Sequence, residues 1–199
     1  MEKNNTFKEY IAPVVVLVAI CLVITLALAL TNNTTAPVIE KNTKAAADQT
    51  RIELIADADS FTEYTGDLVY TAEKPTADGK VFVKDVYTAD NGAGMVVTVD
   101  TKSFGGSLVE MIGIDKDGKI TGTKVTSHND TAGLGTKAHV PEFTNQYIGV
   151  DTLQCTAAKD ESKKNPDITY ITGASISSNA VHYGIYVALE QYKAMGGAK

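Results

Sequence analysis

Residues Ile11 to Leu30, IAPVVVLVAICLVITLALAL, form a run of twenty residues without a charge. At about 1.5 Å per residue such a run makes a helix of roughly 30 Å, the depth of a bilayer's hydrocarbon core. A secretory h-region is shorter, about 7–15 residues. The only small-x-small triplet, Ala27-Leu28-Ala29, lies inside the apolar run rather than after it. The run is therefore expected to be an uncleaved transmembrane helix over 11–30. Cys21 follows Ile20, which is too bulky for a lipoprotein cleavage site.

Residues 1–10 form a short N-terminal segment in which Lys3 and Lys8 balance Glu2 and Glu9. The first basic residues beyond the span are Lys41 and Lys44. This lysine bias places the N-terminus in the cytoplasm and the soluble part outside it, giving a single-pass protein of the cell (inner) membrane.

The 169 residues from Thr31 onward suffice for one domain with its own core, and they carry the whole net charge of −6. So acidic a domain, with no basic stripe, excludes nucleic acid as a partner. Its only cysteine, Cys155, leaves no disulfide framework, cysteine-ligated zinc site or iron–sulfur cluster.

Residues 31–79 read as a membrane-proximal region. Thr31 to Thr35 is a polar linker, and Pro37 to Asp57 has helix-forming composition. From Lys80 the hydrophobic period changes to two. Strands are expected around Val81–Tyr87, Met95–Val99, Leu108–Ile114 and Ile120–Thr126, with turns at Asn91-Gly92 and at Asp115 to Lys119. The DxDG of the second turn lacks the later ligands and closing Glu of a calcium loop, and reads as a hairpin turn. Near the C-terminus Val181, Ile185, Ala188 and Tyr192 recur at helical spacing. Strands followed by helices make residues 80–199 an α+β domain, an antiparallel sheet flanked by helices.

Three polar clusters stand out. TGASISS, Thr172 to Ser178, puts four hydroxyls before the last helix. One hydroxyl would cap that helix, and a helix N-terminus also suits a phosphate. Ser127 to Lys137, SHNDTAGLGTK, is either an ordinary surface loop or a backbone close to a ligand. Ser103 to Ser107, with Gly105-Gly106, reads as a bend between strands. His128 and His139 have no further residues nearby to complete a metal set, and Tyr183, Tyr186 and Tyr192 read as packing. Gly173-Ala174-Ser175-Ile176-Ser177 approaches the serine-hydrolase elbow but lacks its last glycine, and only His182 lies downstream.

TGASISSNAV before an amphipathic helix, GLGTK after SHNDTA, and the FGG between two strands together resemble the FMN-binding domain of the RnfG and NqrC subunits of membrane redox complexes. The likeness runs from about Lys80 to Tyr192, and the single span and overall length are more similar to RnfG. The resemblance implies FMN held covalently, through a phosphoester, on the hydroxyl at Ser175, installed by an ApbE-type flavin transferase. Thr172, Gly173 and Ala174 occupy the preceding motif positions. Here Thr169 stands where the family usually has Asp, and Ser175 where it usually has Thr. The resemblance further implies cofactor contacts from Ser177 and Ser178, from Thr131, Gly133, Leu134, Gly135 and Lys137, and from Gly105 and Gly106. No residue is expected to be catalytic or to bind metal. The implied role is electron relay through FMN inside an Rnf-type, ion-translocating ferredoxin:NAD oxidoreductase complex, with the other subunits and the lipid bilayer as partners. A stand-alone membrane-anchored flavin carrier and a reversible FMN-binding sensor are the alternatives.

Overall fold

The computed structural model describes residues 10–154 and 168–197, so Cys155 and nearly all of the N-terminal segment lie outside it. The chain divides into two compact units, residues 1–47 and 48–199.

In the first unit the helix α1 (Ala12–Leu54) begins, and its apolar part is long enough to cross a membrane. Leu17, Leu22, Val23 and Leu28 are all exposed on it. A helix apolar on every side needs a nonpolar surround, which a bilayer would supply, and none of the described residues covers this one. The helix also continues through residues 31–35, where composition predicts a linker. Thr31, Thr34 and Thr35 turn their hydroxyls back onto the carbonyls of Ala27, Leu30 and Thr31 at 2.9–3.0 Å. These polar side chains are thus satisfied inside the helix instead of competing with it.

The second unit opens with the last turns of α1 and is built on a five-stranded antiparallel meander in simple order. Its strands are β1 (Phe61–Glu63), β2 (Val81–Ala89), β3 (Gly94–Ser103), β4 (Gly106–Asp115) and β5 (Ile120–Ser127). The four predicted strands are present, and the short edge strand β1 joins them from the region read as membrane-proximal. Asp115 Oδ1 accepts the N–H groups of Asp117 and Lys119, both at 2.9 Å, so the DxDG closes a hairpin turn.

One face of the sheet receives the end of α1. Gly113 and Gly122, paired across β4 and β5, leave room for the Leu54 side chain. Thr121 donates to the Leu54 carbonyl, and Lys124 pairs with Glu53 at 2.6 Å. The other face receives the last helix, α3 (Ser175–Met195), through Val181, Ile185, Ala188 and Leu189 against Val97, Val99, Leu108 and Ile112. A short helix α2 (Pro141–Thr144) and the turn after it add Phe143 and Tyr147 to this core. Tyr183, Tyr186 and Tyr192 pack along its margin. The helix ends at Gly196, whose left-handed φ of 70° suits glycine.

One core residue works against stability. Glu110 on β4 is fully buried, neither carboxylate oxygen has a partner among the described residues, and it packs on the bare Cα of Gly184. Burial pushes its pKa well above the ordinary glutamate range, so the folded domain favours its neutral form. The unfolded chain ionises above about pH 4.3, so the group makes the domain less stable as pH rises past that point. Glu110→Met is expected to raise stability by about 1–3 kcal/mol at neutral pH, the usual cost of an unsatisfied buried polar group. The gain should shrink as pH falls below about 4.3, which urea unfolding at both pH values would measure.

Candidate functional site

The segment before α3 shows where the four hydroxyls of TGASISS go. Gly173 takes a φ of 81°, which lets the chain reverse into the helix. Ala174 is the N-cap, and no side chain caps the helix there. The capping role that Ser and Thr would ordinarily fill is therefore not used, and the first-turn N–H groups of Ser175, Ile176 and Ser177 have no partner among the described residues. Ser178 is buried, and its Oγ accepts the Ile171 N–H at 3.1 Å, tying the incoming segment to the helix. Ser177 is buried, with its hydroxyl near enough to Asp130 to help lower that carboxyl's pKa. Ser175 and Thr172 remain exposed.

Ser175 lies on the wall of a cleft of about 240 Å³. Gly173 to Ser177 form one side, and Phe104, Thr131, Leu134 and Gly135 complete the lining. Phe104, Leu134 and Ile176 expose apolar surface around it. Phe104 stands at the tip of the two-residue turn that joins Ser103 to Gly106 between β3 and β4.

Beneath the cleft lies the buried carboxylate of Asp130, which gathers three donors. Ser103 Oγ donates at 2.6 Å, the Gly105 N–H at 2.7 Å and His139 Nε2 at 3.0 Å, and the Ser177 hydroxyl lies close by. Burial alone would raise the Asp130 pKa, but the bonds from Ser103, Gly105 and Ser177, with His139 beside them, hold it below the usual carboxylate range. His139 is kept neutral by burial and by the neighbouring His128, whose ring centroid is 4.4 Å away. Two glycines make this packing possible. A Cβ on Gly105 would overlap the Asn129 carbonyl, and one on Gly135 would stand 2.9 Å from both Asp130 Cβ and Ser177 Oγ.

A hydrolase reading finds no base here. His182 gives Nε2–H to the Gln154 carbonyl at 2.9 Å and accepts from Tyr147 at Nδ1 at 3.2 Å, buried two turns along α3 from Ser175.

The model of the FMN-binding domain family matches residues 104–190, which begin at Phe104 and include every segment of the cleft. The G subunit of the proton-translocating ferredoxin:NAD(+) oxidoreductase complex of Clostridium ljungdahlii is 30% identical over 168 residues, covering 83% of this chain and 82% of that one. The chain belongs to the RnfG family of ion-translocating oxidoreductase subunits. The G subunit of the Na(+)-translocating ferredoxin:NAD(+) oxidoreductase complex of Acetobacterium woodii is also 30% identical, over 185 residues and 89% of each chain. Among solved structures, the C subunit of the Na(+)-translocating NADH-quinone reductase of Parabacteroides distasonis is similar, with a TM-score of 0.47 and 21% identity over 75% of this chain and 81% of that one.

In this RnfG-family chain the structure brings seven of the predicted residues to the cleft: Thr131, Leu134, Gly135, Gly173, Ala174, Ser175 and Ser177. The other six serve or stand elsewhere. Gly105 and Ser178 hold chain segments together beneath it. Gly106 has a φ of 111° just after the turn, and Gly133 a φ of 75° facing open space. Lys137 and Thr172 are outside the lining, and Thr172 is exposed. Phe104, Ile176 and Asp130 are additions from the structure. All three lie inside the clusters singled out in the sequence, which marked the segments without distinguishing these side chains.

Proposed function

We propose that this RnfG-family chain carries FMN as a phosphoester on Ser175 Oγ and relays electrons inside an Rnf-type membrane complex. The observation that carries the reading is the sorting of hydroxyls. Ser177 and Ser178 are buried, Ser178 bonded to the Ile171 N–H and Ser177 beside Asp130, while Ser175 is exposed on the cleft wall beside uncapped N–H groups. Three open backbone donors at the positive end of a 21-residue helix fit a phosphate. The apolar surfaces of Phe104, Leu134 and Ile176 fit a flat aromatic ring. FMN, when bound, supplies the electron transfer, and the chain's residues hold it, orient it and shield it from water.

An ApbE-type flavin transferase is the partner that would install the bond, and the remaining subunits are the partners in electron relay. α1 anchors the domain, with the N-terminus in the cytoplasm and residues after the span outside it. A covalent tether suits that side of the membrane, where lost FMN is not readily replaced. The test is retention. Protein made with the transferase, unfolded in guanidinium and passed through a desalting column, is expected to keep its yellow flavin in the protein fraction. Flavin in the small-molecule fraction would make the site a reversible one.

A further inference from the structure

Asp130 lies inside SHNDTAGLGTK, where the resemblance assigns it no role, yet it is the residue on which the cleft converges. Its carboxylate reaches Ser103 and Gly105, the residues on either side of Phe104, and so fixes the turn that forms one wall. The same carboxylate lies beside the Ser177 hydroxyl, two residues beyond Ser175, across the bare Cα of Gly135, and so sits against the first turn of α3 that forms the other. His139, its ring tilted against that of His128, holds it from the side of the loop. Three donors on one ionised acceptor are charge-assisted bonds, stronger and more directional than neutral ones. The carboxylate is buried, so no water competes for these positions.

We propose that Asp130 is the positioning residue of the flavin cleft, setting the distance between the Phe104 turn and the Ser175 turn of α3. The inference rests on the reading of Ser175 as the FMN site. Loss of the carboxylate's charge is expected to let the Phe104 turn swing from the helix and expose the flavin ring without detaching it. Asp130→Asn keeps the shape but turns one acceptor into a donor, against Ser103, Gly105 and His139, which already donate.

The test uses the full chain, loaded by a flavin transferase, and reads the quenching of flavin fluorescence by iodide. In Asp130→Asn the quenching constant is expected to rise severalfold, and a low-pH titration of wild type should produce the same rise as Asp130 protonates. The groups facing the carboxylate are Ser103, Gly105 N–H, Ser177 and His139, with His128 behind it. Of these only His139 and His128 carry imidazole rings, and burial already pushes His139 toward its neutral form. In Phe104→Ala, adding Asp130→Asn should change quenching little, because both act through one wall. Equal quenching in folded, flavin-loaded wild type and Asp130→Asn would overturn the proposal. If Asp130→Asn does not fold, the wild-type apo protein still decides it by nuclear magnetic resonance. The Gly105 and Ser177 amide signals should titrate together with the Asp130 carboxyl, and separate titrations would equally overturn it. A protein without bound flavin on a denaturing gel would instead count against the Ser175 reading, while leaving the amide titration to report on the cleft.

Discussion

Ser175→Ala, made alongside a flavin transferase, is expected to run dark under ultraviolet light after denaturing electrophoresis, while wild type and Ser175→Thr fluoresce. Of the four hydroxyls between Thr172 and Ser178, those of Ser177 and Ser178 are buried, so neither can reach a transferase. Removing the Ser175 hydroxyl deletes no cap, since Ala174 is the N-cap and no side chain bonds there. The substitution should therefore shift stability by no more than about 0.5 kcal/mol, as at an ordinary surface position. Threonine adds one methyl group at an exposed site and keeps the same nucleophilic oxygen. Fluorescence persisting in Ser175→Ala would falsify the assignment and move it to Thr172, the other exposed hydroxyl.

Gly135→Val is expected to destabilise the domain by about 3 kcal/mol, the upper end of what overpacking costs. Its first added carbon stands 2.9 Å from both Asp130 Cβ and Ser177 Oγ, and the two methyl groups of valine have no space beyond. For a domain of this size that corresponds to a melting temperature lower by roughly 6–12 °C. Gly133→Val makes the contrast. Its Cβ would meet nothing, but its φ of 75° is costly for a branched side chain, by about 1–2 kcal/mol. Thermal unfolding of both should rank Gly135→Val as the worse. An unchanged melting temperature in Gly135→Val would contradict the close packing of this loop on α3. Flavin fluorescence in the loaded variants should likewise change more for Gly135, which lines the cleft, than for Gly133, which does not.

The strands from Val81 to Ser127 were legible because their apolar residues alternate and their turns carry Asn-Gly and Asp-x-Asp-Gly, local signals that tertiary contacts only reinforce. The stripe on α3 was legible for the same reason at a period of 3.6. What sequence could not give depends on partners far along the chain. β1 is three residues long and exists because Phe61 to Glu63 pair with Tyr87 to Ala89. α1 runs through its polar stretch because threonines bond back within the helix, which composition does not distinguish from a linker. At the site, TGASISS marked the place, but which hydroxyls face inward was decided by the Ile171 amide and the distant Asp130. Asp130 itself is one carboxylate in a polar loop until the Ser103 and Gly105 turn closes on it from twenty-five or more residues away.

Peptide mass analysis reads the site of attachment most directly. The full chain is made with a flavin transferase, cleaved after lysine, and the peptide containing Thr172 to Ser178 is fragmented. The expected spectrum shows the mass of one FMN, less water, on Ser175 and on no other residue of the peptide. An unmodified peptide from yellow protein, or the added mass on Thr172, Ser177 or Ser178, would contradict a phosphoester on Ser175.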